Sequence, residues 1–275
     1  MYKSILAISE GGPEAAISFR LAHRIASMFG GTVDAVHYSE THPGDADIAG
    51  QAMPFMKRVA DDRLNARARE SERAYKELLA PLAGATFTGG HAVTRDQLVR
   101  MGRFANLVLV GRPSLDAENI APETVKAAIY DCAGPVVVAP PNLNSQGEGG
   151  FSSVLVAWNG SAQAARAAGF ALPFLAKAAK VTILVADASP DELGTPFLLR
   201  TLGRHGVNAT VEKVDHGDIT GRARGRALLE YTKDKGADLL VMGAYGHGGL
   251  TNFLGLGGAT AKVIASCPVP LLLAH

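Results

Sequence analysis

Short apolar runs recur along this chain at regular intervals. Residues 4–9, 32–37, 107–110 and 136–139 are rich in Val, Ile, Leu and Ala, a further strand is read at 87–92, and helix-length segments separate the runs. Runs apolar on both faces belong in a sheet covered on both sides, the usual setting of a parallel sheet. A second series follows at 153–158, 181–186, 209–214, 239–242 and 271–274. After the first run, Ile17, Leu21, Ile25 and Met28 fall at helical spacing, and the stripe stops at Gly30-Gly31. The matching helix of the second series starts at Ser161, a residue type suited to capping. Strand and helix in alternation imply right-handed crossovers. The expected fold is α/β: two Rossmann-like domains in tandem, each a five-stranded parallel sheet with helices on both faces.

The tandem reading rests on three landmarks repeated in one order. Ser4-Ile5-Leu6-Ala7-Ile8-Ser9-Glu10 is matched by Ser153-Val154-Leu155-Val156-Ala157-Trp158-Asn159. Ala105 to Gly111 is matched by Ala237 to Gly243, and Cys132 to Ala139 by Cys267 to Ala274. The Pro-, Asn- and Gly-rich stretch from Pro140 to Gly150 reads as a linker, which places domains at 1–141 and 152–275. The first copy carries extra residues in its middle. They include residues 61–79, where Leu64, Ser71, Tyr75 and Leu78 mark one face and predict a longer amphipathic surface helix.

Composition narrows the partners. Apolar residues make up 47% and charged residues 19% of the 275, the profile of a globular chain. Twenty-seven basic against 26 acidic side chains give a net +1, so no overall field favours nucleic acid or an anionic membrane. No apolar run approaches the roughly 18 residues of a membrane span, and Ser9-Glu10 interrupts the N-terminal run too early for a signal peptide. Cys132 and Cys267 lack CxxC partners and read as reduced, buried thiols. The expected location is the cytoplasm.

An open parallel sheet binds ligands beyond the carboxyl ends of its strands, where strand order reverses. In the second copy the fourth strand runs into Gly243-Ala244-Tyr245-Gly246-His247-Gly248-Gly249, and a helix begins near Gly258-Ala259-Thr260. Glycines let main chain approach an anion, and a helix N-terminus offers free N–H groups to phosphate; the same glycines also serve as plain turns. Neither the P-loop ending nor a strict GxGxxG is present.

This strand, the Gly243-x-x-Gly246 pair, the later Gly257 and the closing apolar strand resemble the ATP-binding signature of universal stress proteins, Gly-x2-Gly-x9-Gly-Ser/Thr. The resemblance extends over the whole chain as a tandem pair. It implies an adenine nucleotide, ATP or similar, in the C-terminal domain only. The family's acidic nucleoside contact falls on Asn159, with Ala157 and Trp158 before it; Trp158 is placed either to stack on a base or to fill the strand end. Ala186 and Met242 would border the adenine, and Gly243, Gly246, His247, Gly257, Gly258, Ala259 and Thr260 would surround the phosphates. Two departures stand out: residues 247–256 place ten positions where the family has nine, and Gly258 stands where it has a hydroxyl, with Thr260 nearby. The resemblance also implies an approximate twofold between the copies, with their last strands meeting. Such a pair either suffices as a monomer or pairs again as a homodimer.

The first copy departs further. After Gly111 come Arg112, Pro113, Asp116, Glu118 and Pro122 with no second glycine, which removes donors and repels phosphate; Glu10 then reads as a surface or cap residue. His91, His205, His216, His247 and His275 show no metal-ligand spacing, no GxSxG elbow is present, and Arg222, Arg224 and Arg226 share a segment with Glu230 and Asp234. No catalytic residue or metal ligand is therefore assigned. The leading reading is a stress-associated regulatory protein that binds a nucleotide and acts on a protein partner of unknown identity. An interaction scaffold without ligand comes second, and a phosphate-ester enzyme third.

Overall fold

The computed structural model describes residues 2–12, 15–39, 54–89, 93–112, 122–143, 150–186, 189–214, 220–245 and 258–275. The chain divides into two compact units, residues 2–134 and 135–275. The first contains β1 (Ser4–Ser9), α1 (Ala15–Phe29), β2 (Thr32–His37), α2 (Pro54–Leu78), β3 (Thr86–Thr88), α3 (Arg95–Phe104), β4 (Leu107–Gly111) and α4 (Pro122–Asp131). Its strands lie in the order β3-β2-β1-β4, every pair parallel. The second contains β5 (Val136–Ala139), β6 (Ser153–Trp158), α5 (Ala162–Leu175), β7 (Lys180–Ala186), α6 (Thr195–Arg204), β8 (Ala209–Val214), α7 (Gly221–Asp234), β9 (Leu239–Gly243), α8 (Ala259–Ser266) and β10 (Leu271–Ala274). Its order is β5-β10-β9-β6-β7-β8, parallel from β10 to β8, with β5 antiparallel to β10.

This is the doubly wound α/β architecture that the alternation of strands and helices predicts. In both units the order reverses beside the first strand, between β1 and β4 and between β6 and β9. The run 136–139, which the repeat assigns to the first copy, pairs with β10 and counts with the second unit. Among the described residues, four parallel strands therefore lie in the first unit, and β6 to β10 supply five in the second. The expected strand at 87–92 forms only over Thr86–Thr88, and residues 90–92 lie outside the described residues.

Local rules account for the elements. Ile17, Leu21 and Ile25 of α1 are buried, each contributing about 1.5–3 kcal/mol by leaving water, and Met28 lies at the edge of that stripe. The helix ends at Gly30, whose φ of +59° suits glycine. Thr94 and Gln97 form a reciprocal capping box at the start of α3. The Ser161 hydroxyl accepts from the Ala164 amide at 3.2 Å and caps α5 as expected. α7 packs on α8, where a Cβ at Gly225 would stand 3.0 Å from the Ala259 carbonyl oxygen.

One expectation is corrected. Residues 61–79 are not a mere surface helix: α2 packs on α1 and β2, with Ser71 fully buried and Ala74 and Leu79 beside it in the core. Tyr75 stacks on Phe87 at 5.0 Å and its hydroxyl donates to the Ala85 carbonyl at 3.0 Å.

Close packing also fixes Gly102, where a Cβ would lie 2.3 Å from Cys132 Sγ. Gly102→Ala is expected to cost about 1–3 kcal/mol, read as a lower urea midpoint. Burial, then the charge of Asp131, pushes the Cys132 thiol from its ordinary 9.0 up to about 11, against the opposing pull of Arg103 and Arg95. The folded thiol holds its proton more tightly than the unfolded one. Stability from this group is therefore complete below pH 9 and is lost as pH rises toward 11, which urea melts at pH 8 and pH 10.5 compared with Cys132→Ala will reveal.

Candidate functional site

The carboxyl ends of the second unit's parallel strands bring several of the expected residues together. Ala157 stands between Leu184 and Met242 in register, and Trp158 beside Val185. Asn159 follows Trp158, Ala186 closes β7, and Gly243 closes β9. Asn159 and Ala186 are exposed, while Met242 and Trp158 are buried. Gly258, Ala259 and Thr260 form the start of α8, and Thr260 Oγ1 accepts from the Tyr245 amide at 3.5 Å. That bond joins the first turn of α8 to the end of β9. Gly246, His247 and Gly257 lie outside the described residues, as do Gly255 and most of the first copy's loop from Pro113 onward.

Four of the placed residues have a local physical role. Asn159 Oδ1 accepts from the Ser161 amide at 3.1 Å and from its hydroxyl at 2.7 Å, closing the turn in which Gly160 has φ +69°. The amide side chain thus orients the cap of α5. The Trp158 indole N–H donates to the Leu193 carbonyl at 3.0 Å. Gly243 is small because a Cβ there would lie 2.6 Å from the Ala164 nitrogen, so the first turn of α5 sits directly on the end of β9. Gly258 is the N-cap of α8 with φ −82° and ψ 157°, and it supplies no side-chain cap. The first-turn donors of α8 therefore lack the acceptor that Ser or Thr would provide.

The same edge of the first unit is arranged differently. Arg67 Nε of α2 donates to the Glu10 carbonyl at 2.8 Å, and Glu70 accepts from the Gly12 amide at 2.8 Å. Ser71 Oγ lies 2.9 Å from Ser9 Oγ and 2.9 Å from His37 Nδ1, all three groups buried. Gly11, with φ +79°, passes so close that a Cβ would be 2.4 Å from the Arg67 carbonyl oxygen. One face of α2 therefore occupies the crevice after β1. Glu10 is not the surface or cap residue expected: it is buried, and its carboxylate accepts from the Thr124 hydroxyl of α4.

Sequence reasoning missed Arg67, Glu70, His37 and Thr124, and put Ser71 on the marked face of its helix without naming a partner. Their signal was weak, because polar residues on an amphipathic pattern are assigned to solvent. Tyr245, at φ +54°, carries no sequence mark either. Among the described residues no group of three His, Cys, Asp or Glu side chains is placed to hold a metal ion. Glu212 is held low chiefly by the hydrogen bond from Lys235 at 2.6 Å and then by the Tyr231 hydroxyl, and belongs to the β8–α7 contact.

With this geometry in place, the likeness to known proteins becomes specific. Residues 150–275 match the model of the universal stress protein family. A universal stress protein from Archaeoglobus fulgidus superposes with a TM-score of 0.65 at 16% identity, over 99% of this chain and 96% of that one. One given the same family assignment in Pseudomonas aeruginosa superposes with a TM-score of 0.56 at 13% identity, over 99% and 93%. A shorter universal stress protein, solved in complex with cAMP, shares 24% identity over 46% of this chain and 98% of its own, with a TM-score of 0.39. No match is found among curated proteins.

The α2 clasp generates a direct test. Ser71→Ala takes from the buried Ser9 hydroxyl its side-chain partner, leaving only the Gly11 amide on it, and removes one partner of His37, and is expected to cost about 1–3 kcal/mol in urea unfolding. Ser71→Thr, which keeps the hydroxyl, should recover part of that loss.

Proposed function

Because this chain belongs to the universal stress protein family through residues 150–275, and its whole length shares the fold of a family member of nearly equal length, we propose that it is a stress-associated regulatory protein that binds an adenine nucleotide, ATP or similar, in its C-terminal half. One observation carries the reading: where strand order reverses beside β6, the uncapped start of α8 is tied to the end of β9 through Tyr245 and Thr260. In this reading Ala186 and Met242 border the adenine, and Asn159 and Trp158 lie at the nucleoside. Asn159 still has two amide hydrogens to offer a ribose hydroxyl while its oxygen caps α5. Gly243, Gly246, His247, Gly257, Gly258, Ala259 and Thr260 surround the phosphates.

The first half takes no nucleotide, since α2 already fills the crevice after β1. Binding biases which protein partner the molecule engages. The site is cytoplasmic, and no described helix is long and apolar enough to cross a membrane. The second reading, a scaffold without ligand, draws on Gly243, whose lack of a side chain the packing of α5 explains without phosphate.

Titration calorimetry with ATP separates the two. The expected result is one nucleotide per chain. Gly258→Ser, whose backbone angles accept serine without strain, restores a hydroxyl and tightens binding by about threefold to tenfold, equivalent to one modest hydrogen bond. Gly246→Val should abolish binding while leaving the thermal melt unchanged. No heat of binding in the parent or in Gly258→Ser favours the scaffold.

A further inference from the structure

The Asn159 carboxamide is oriented by what it holds. Its Oδ1 accepts from the Ser161 amide at 3.1 Å and from the Ser161 hydroxyl at 2.7 Å. A main-chain N–H only donates, so the atom that meets it is the oxygen. The Ser161 hydroxyl gives its single proton to Asn159 and itself accepts from the Ala164 amide at 3.2 Å. Turn and helix cap lock together, and the oxygen of Asn159 is committed twice.

The NH2 group is what remains for chemistry. Asn159 is exposed, and among the described residues no group accepts from its Nδ2. Ala157 lies in register with Met242 across β6 and β9, and Asn159 and Ala244 each follow two residues later. Tyr245, the next residue after Ala244, bonds through its amide to Thr260 of α8. The free amide donor thus stands at the end of β6, next to the strand whose end is tied to α8.

We propose, resting on the nucleotide reading above, that this site selects an adenosine nucleotide carrying a second phosphate on its ribose 2′ or 3′ oxygen, with Asn159 Nδ2 donating to that phosphate. A free ribose hydroxyl brings a proton that needs an acceptor. The acceptor of Asn159 is already taken, and a third claim on Oδ1 competes with the turn that caps α5. An ionised phosphate ester brings acceptor oxygens only, and an N–H bond to a charged oxygen exceeds one to a neutral hydroxyl by roughly tenfold in affinity. The amide also sets no negative charge against the phosphate, as a carboxylate in its place would.

Titration calorimetry of the full chain at fixed ionic strength, with adenosine 5′-monophosphate, adenosine 3′,5′-bisphosphate and adenosine 2′,5′-bisphosphate, reads the preference directly. One bisphosphate should bind at least about tenfold tighter than the monophosphate, and the tighter of the two identifies the esterified oxygen. Asn159→Asp keeps an oxygen for both Ser161 bonds and exchanges only the NH2 group for a second carboxylate oxygen, so it should abolish or reverse the preference. The parent's preference is read without any variant, and a thermal melt checks the fold of Asn159→Asp. Equal or weaker binding of both bisphosphates in the parent, or a preference that survives in folded Asn159→Asp, overturns this inference and leaves the nucleotide reading standing. No heat with any of the three also overturns it, and the ATP titration then decides the nucleotide reading on its own.

Discussion

A parallel strand ends at its carboxyl edge in a turn whose main-chain groups the sheet does not satisfy, and something must occupy the crevice that strand reversal opens there. After β1 that occupant is α2. Arg67, Glu70 and Ser71 lie on successive positions of one helical face, and they meet the Glu10 carbonyl, the Gly12 amide and the Ser9 hydroxyl. Gly11 permits the approach, because any side chain there would collide with the main chain of α2. The polar face of an inserted helix thus completes the first unit from within. In the second unit the corresponding edge is met by short capping contacts, and the first-turn donors of α8 lack a side-chain cap.

This asymmetry distinguishes two units of one architecture. Burying Ser9, Ser71 and His37 together is tolerable because they hydrogen-bond to one another; a ligand entering there would have to break that set and leave buried groups unpaired. Among the described residues, the contacts at the matching edge of the second unit include the Asn159–Ser161 turn and the bond from the Tyr245 amide to Thr260. Two of its glycines are required by packing, Gly243 giving space to α5 and Gly225 to the crossing of α7 and α8.

The fold was readable because fully buried parallel strands leave a continuous apolar signature, and repeated landmarks exposed the duplication. Capping was readable at Ser161, whose role follows from its position before an apolar stripe. The clasp of α2 was not. Arg67 and Glu70 sit on an amphipathic helix, where polar side chains point to water unless a distant segment offers hydrogen bonds, and Ser71 was read on the marked face with no partner named. Glu10 misled for the same reason, since its partner Thr124 lies 114 positions away. Asn159 was placed correctly at the strand end, yet its part in orienting the α5 cap depends on turn geometry that spacing alone does not reveal. The pairing of β5 with β10 was legible only through resemblance.

The central claim is that one half is filled by its own helix and the other is open to a nucleotide. Hydrogen–deuterium exchange of the full chain with and without saturating ATP tests this most directly. The account predicts slowed exchange at residues 157–161 and 242–262, with residues 9–12 and 67–74 unchanged. Protection at residues 9–12 and 67–74, or none at the start of α8, would contradict it.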